Sequence, residues 1–198
     1  MYSSLYLQCF SLLYILFLTI LYFSKERVNL FENRIYSCLI LTNFIGIILD
    51  IISTYIALVD VTFPILNFIS KLYLVYLISF MALFTAYIIV VTRKTTEKQI
   101  VKTYNKLKIT LFFAYIFISM IILALPLENY SKDGIVYTYG ASTIATYSVG
   151  GVCVFIYLII ILKNIRNIKN RKLIPLFSLI LVGSISAFIQ MTMPQLLL

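Results

Sequence analysis

Six apolar stretches of membrane-spanning length alternate with polar connections, and the Lys and Arg residues concentrate on every other connection. The apolar runs are residues 4–23, 35–58, 63–91, 109–125, 141–162 and 173–191, each near or above the ~20 residues that cross a bilayer core. No soluble core of a chain this long needs six such runs, so the pattern predicts an all-α integral membrane protein, a six-helix transmembrane bundle.

The basic connections are residues 24–34, 92–108 and 163–172. They hold nearly all of the 16 basic residues; Lys132 lies in another connection and Lys71 lies within a span. Basic connections stay on the cytoplasmic side, which predicts an N-out, C-out topology. Residues 194–198 then read as the turn into a seventh span that this chain lacks. Met1–Ser3 has no basic leader and no cleavage pattern follows the first apolar run, so the first span is expected to be an uncleaved anchor.

Hydrophobic residues make up 62% of the chain and charged ones 12%, too little polar sequence for a separate soluble domain, so residues 1–198 are expected to form one membrane domain. The net charge of +9 is assigned to helix ends and lipid head groups and not to nucleic acid. The chain has no histidine, which removes the phosphoacceptor of a kinase core, the HExxH zinc motif and the usual acid–base residue together. Cys9, Cys38 and Cys153 fall in spans without CxxC spacing and read as packing residues. No catalytic residue, metal site or cofactor is expected.

Asp50 is the only acid and Lys71 the only base within a span. Each lies eight positions from the same short connection, hence ~12 Å from that end on adjacent antiparallel helices. A lone charge in the bilayer centre costs ~2.5–3.5 kcal/mol, so mutual pairing is the expectation. Asn43, Gly46, Asp50 and Ser53 share one face of the second span and Asn67 lies one turn from Lys71, which extends the pair into a polar cleft. Three readings stay open: an ion pair that sets helix register, a site for a small polar or zwitterionic ligand, and a proton-linked switch.

Between spans four and five, Asp133-Gly134 sits between β-prone flanks and predicts a short outer β-hairpin carrying Glu128, Tyr130, Tyr137 and Tyr139. Two roles are open for it, a lid on the bundle or an interfacial aromatic belt, and the belt is preferred. Lys98, Lys102 and Lys106 recur every four residues opposite Ile100, Tyr104, Leu107 and Leu111, so span four is expected to begin as a basic amphipathic helix. Ser142, Thr146 and Gly150 in the fifth span, with Gly183 and Ala187 in the sixth, have the spacing that lets helix backbones approach. No inverted repeat relates the two halves.

Several strings resemble the N-terminal membrane region of sensor histidine kinases from low-GC Gram-positive bacteria (Firmicutes). They are Glu-Asn-Arg-Ile-Tyr-Ser at 32–37, Gly-Ile-Ile-Leu-Asp-Ile-Ile-Ser at 46–53, Ser-Lys-Leu-Tyr-Leu at 70–74, Val-Tyr-Thr-Tyr-Gly at 136–140 and Pro-Gln-Leu-Leu-Leu at 194–198. Similar input regions precede some diguanylate cyclase domains. The resemblance implies a signal-sensing input module of two-component signal transduction, with a cytoplasmic output domain in cis if the chain is a fragment, and with a homodimer and the lipid bilayer as its other partners. The kinase core is absent from these residues, so the chain itself is not an enzyme. The alternatives are a diguanylate cyclase input region and a small multi-pass transporter or channel subunit.

Overall fold

Apolar residues in long unbroken runs satisfy their backbone only as helices once water is excluded, and helices dominate the computed structural model. It describes residues 3–24, 31–59, 63–92, 97–132, 135–167 and 170–192. The helices are α1 (Ser3–Ser24), α2 (Phe31–Leu58), α3 (Phe63–Val91), α4 (Glu97–Ala124), α5 (Ala141–Lys163) and α6 (Asn170–Thr192). Strands β1 (Glu128–Lys132) and β2 (Ile135–Tyr139) lie between α4 and α5. The basic residues Lys25, Arg27, Arg93 and Lys94, the Asp133-Gly134 turn and residues 194–198 fall outside the described residues, as do the side chains of Lys98, Lys102, Lys106 and Tyr137.

Four helices contain stretches long and apolar enough to cross a membrane: Phe31–Ala57, Pro64–Val91, Leu107–Ala124 and Ala141–Lys163. Gln8–Ser24 and Leu176–Ile189 are shorter apolar helical stretches. Pro64 occupies the first turn of α3, where its missing N–H removes no helix bond. The α4 helix runs without a break from its basic beginning, and Tyr104 and Leu111 pack on Ile35, Ala86 and Val90 of the α2–α3 pair.

The α3 helix is the centre of the bundle, packing on α2, α4 and α5. Its side chains Phe84, Ile88 and Val91 meet Leu39 of α2, Tyr157 and Ile161 of α5, and Leu176 and Ile180 of α6 in the main apolar cluster. A second cluster joins Leu74 and Ile78 to Ile122 and Leu127. The small-residue stripe of α5 lies inward: Ser142 and Thr146 are buried, and Gly150 sits against Met81 of α3. On α6 the stripe is not used in this way, because Gly183 has open space where a side chain would stand.

Several hydroxyl side chains inside the helices are satisfied locally or across one interface. Thr19, Ser37, Ser79, Thr85 and Thr146 each donate to the carbonyl four residues earlier, the usual refuge of a hydroxyl in an apolar helix. Tyrosine hydroxyls tie neighbouring helices: Tyr22 donates to the Asn33 carbonyl at 3.0 Å and Tyr157 to the Met81 carbonyl at 2.8 Å, while the Tyr115 and Ser79 hydroxyls are hydrogen-bonded at 3.1 Å.

The two strands pair antiparallel, with Glu128 opposite Tyr139 and Lys132 opposite Ile135. Strand β2 packs on α2 and α5 and β1 on α3, and Thr138 donates to Ser70 of α3 at 3.3 Å. The pair therefore seats on the bundle. Gly140 is the reason: its φ of 156° and ψ of −169° turn β2 directly into α5, and a side chain there would stand 3.0 Å from the Pro126 carbonyl oxygen. That backbone region is essentially confined to glycine.

Candidate functional site

The expected Asp50–Lys71 ion pair does not form. Lys71 Nζ instead donates to the Leu123 carbonyl at 2.6 Å, and Asp50 Oδ2 accepts from Gln8 Nε2 at 2.9 Å. Equal depth fixes only the position along a helix axis, and the direction around it separates these two groups. Tyr76, the α3 residue facing Asp50, is five positions from Lys71, about 140° around the helix.

Lys71 closes the end of α4. Ile122 would ordinarily bond to the N–H of residue 126, which is a proline and has none. Ser142 Oγ of α5 donates to the Ile122 carbonyl at 2.8 Å, and Lys71 of α3 supplies the next one, Leu123. A cation at a helix C-terminus also opposes the negative end of the helix dipole. The lysine is thus accounted for as a cap and leaves Asp50 in a centre of its own.

That centre is built from five elements. Gln8, 8% exposed on α1, donates through Nε2 both to Asp50 and to Thr54 Oγ1 of α2, the latter at 2.8 Å. Thr54 lies one turn from Asp50, so a single amide bridges two positions on one face of α2. On α3, Tyr76 lies within electrostatic reach of Asp50 and donates its hydroxyl to Asn43 Oδ1 at 3.2 Å. Its ring covers Gly46: a Cβ at that position would stand 1.9 Å from Tyr76 Cζ. Tyr147 of α5 lies within reach of both Asp50 and Tyr139 of β2.

Gln8 Oε1 is buried without a hydrogen-bond partner, as is Asn67 Oδ1 on α3. The structure therefore brings Asp50 and Asn43 together through Tyr76 and Gly46, while no hydrogen bond joins Ser53, Asn67 or Lys71 to Asp50 among the described residues. On the strands, the Tyr130 hydroxyl donates to the Glu128 carboxylate, and Tyr130 remains 42% exposed. Gln8, Thr54, Tyr76 and Tyr147 were not anticipated. Gln8 had a readable signal, as the only amide in the first apolar run. Among the described residues, no three His, Cys, Asp or Glu side chains come together in a metal-ligating group.

Fold and site together define a largely α-helical membrane protein with a half-buried carboxyl–amide centre beneath a small strand pair. No protein-family model, curated protein or solved structure matches the chain.

Proposed function

We propose that the chain is a membrane-embedded input module of signal transduction, of the kind that feeds a histidine kinase core, with its six helices crossing the bilayer from an outside N-terminus. The observation that carries this reading is the Gln8 amide. Its nitrogen is shared between Asp50 and Thr54 while its oxygen is buried and unsatisfied. An unsatisfied buried acceptor costs about 1–3 kcal/mol, and a bundle selected for stability alone has no use for one.

The centre has a second arrangement within easy reach. Turning the amide over presents Oε1 to the Thr54 hydroxyl and to a protonated or ligand-bearing Asp50, and a group with two arrangements is the element a stimulus can bias. Because α1 is joined to α2 through this amide, biasing it moves one helix against another. The diguanylate cyclase alternative uses the same input logic with a different output domain. The transporter alternative draws on the ionisable group inside a span, and solute uptake by proteoliposomes would favour it.

The test joins residues 1–198 through one added apolar span to a histidine kinase core in membranes. Autophosphorylation is measured for the parent chain and for Gln8→Leu, Thr54→Val and Asp50→Asn. At least one substitution is expected to lock the output several-fold above or below the parent. Equal output from all four inserted and folded chains overturns the reading.

A further inference from the structure

A second feature opens at the end of α2 opposite Asp50 and reaches as far as Asn43: a cavity of about 770 Å³ walled by α1, α2, α3 and α6. This is a volume typical of small-molecule sites. Its lining is segregated along its length. Tyr22, Glu32, Asn33, Tyr36 and Tyr87 gather where α1 ends and α2 begins, whereas deeper walls are supplied by Ile15, Leu18, Ile40, Phe80 and Phe84, with Asn43 at the far end.

From Glu32 to Asn43, the two extremes of its α2 wall, is 11 residues, about 16 Å along the helix. That is close to half of the ~30 Å hydrocarbon core, the depth of one lipid leaflet. The polar end is chemically particular. The Tyr22 and Tyr36 ring centroids are 5.2 Å apart with planes at 55°, and those of Tyr36 and Tyr87 are 5.5 Å apart at 40°. Tyr87 also lies within electrostatic reach of Glu32. Tilted aromatic faces beside a carboxyl group attract an ammonium group.

We propose that this cavity binds a membrane lipid with an amine head group, the ammonium against Tyr22, Tyr36, Tyr87 and Glu32 and one acyl chain along the apolar wall. Leu176 and Leu179 of α6 line the cavity, and Leu176 also belongs to the main apolar cluster. The bound chain therefore touches the turn that fastens α6 to the bundle.

The chain contains no Trp, so one introduced indole reports a single place. Phe80→Trp places it in the cavity wall, and Phe113→Trp places it on the outer face of α4, where residue 113 is 65% exposed. Each full-length variant is put in phosphatidylglycerol nanodiscs doped with either phosphatidylethanolamine or phosphatidylglycerol carrying brominated acyl chains.

The amine-headed lipid is expected to quench the cavity indole about threefold or more better than the glycerol-headed one, with no preference at the control indole. Glu32→Gln or Tyr36→Leu, added to Phe80→Trp, should bring the ratio toward one. Equal quenching at the cavity indole, a preference shared by the control, or a ratio that both substitutions leave unchanged overturns the proposal. The readout is lipid occupancy, so its result is independent of the kinase-chimera output.

Discussion

Asp50 and Lys71 have separate partners, and that separation has a measurable signature. Residues without shared partners combine additively, so Asp50→Asn with Lys71→Gln should destabilise by the sum of the single effects to within about 0.5 kcal/mol in detergent-unfolding titrations. A paired arrangement would instead show the double variant partly rescued. Gln8→Leu strips Asp50 of its donor in an apolar interior and should cost about 1–3 kcal/mol, while Lys71→Met, which removes only a partly exposed helix cap, should cost about 0.3–1 kcal/mol.

Much of the site was legible as a list of residue types. The apolar runs left few polar atoms to choose among, and Asp50, Asn43 and Gly46 lie around Tyr76. Their partners were not legible, because hydropathy and residue counting give depth in the bilayer but leave azimuth undetermined. The one local clue to the true role of Lys71 was Pro126, whose missing N–H announces an α4 terminus in need of outside donors.

At the scale of elements, helix limits followed closely from the apolar runs. The α4 helix reaches back to Glu97, beyond its apolar run, in keeping with the amphipathic beginning expected of span four, and packs through Tyr104. The position of the strand pair was not legible. It depends on Gly140, whose backbone conformation a sequence pattern does not reveal. Gly140→Ala should cost about 1–3 kcal/mol and should raise amide hydrogen exchange in β1 and β2 well before it affects α3. Ser142→Ala leaves the Ile122 carbonyl without its donor, and the same experiment should show faster exchange in the last turn of α4 and the first turn of α5.

At the scale of the molecule, α3 is surrounded by helices from both halves of the chain, which is why its cluster residues reach near-zero exposure while α1 and α6 keep long outward apolar faces. Six crossings with the proposed orientation predict a definite labelling pattern. In a variant lacking the three native cysteines, Ser24→Cys and Asn164→Cys should react with a membrane-impermeant maleimide only after the inner face is opened. Val59→Cys and Glu128→Cys should react in intact cells.

The capping of α4 by Lys71 and Ser142 bears on how the protein meets bilayers of different thickness. Helix α4 has 28 residues and is about 42 Å long, well beyond the ~30 Å of hydrocarbon it has to cross. Its C-terminal end is tied to two neighbouring helices by Lys71 and Ser142. A thicker or thinner membrane is therefore accommodated at the other end, in the basic turns that precede the contact of Tyr104 with α2 and α3, which are drawn into the interface or released from it.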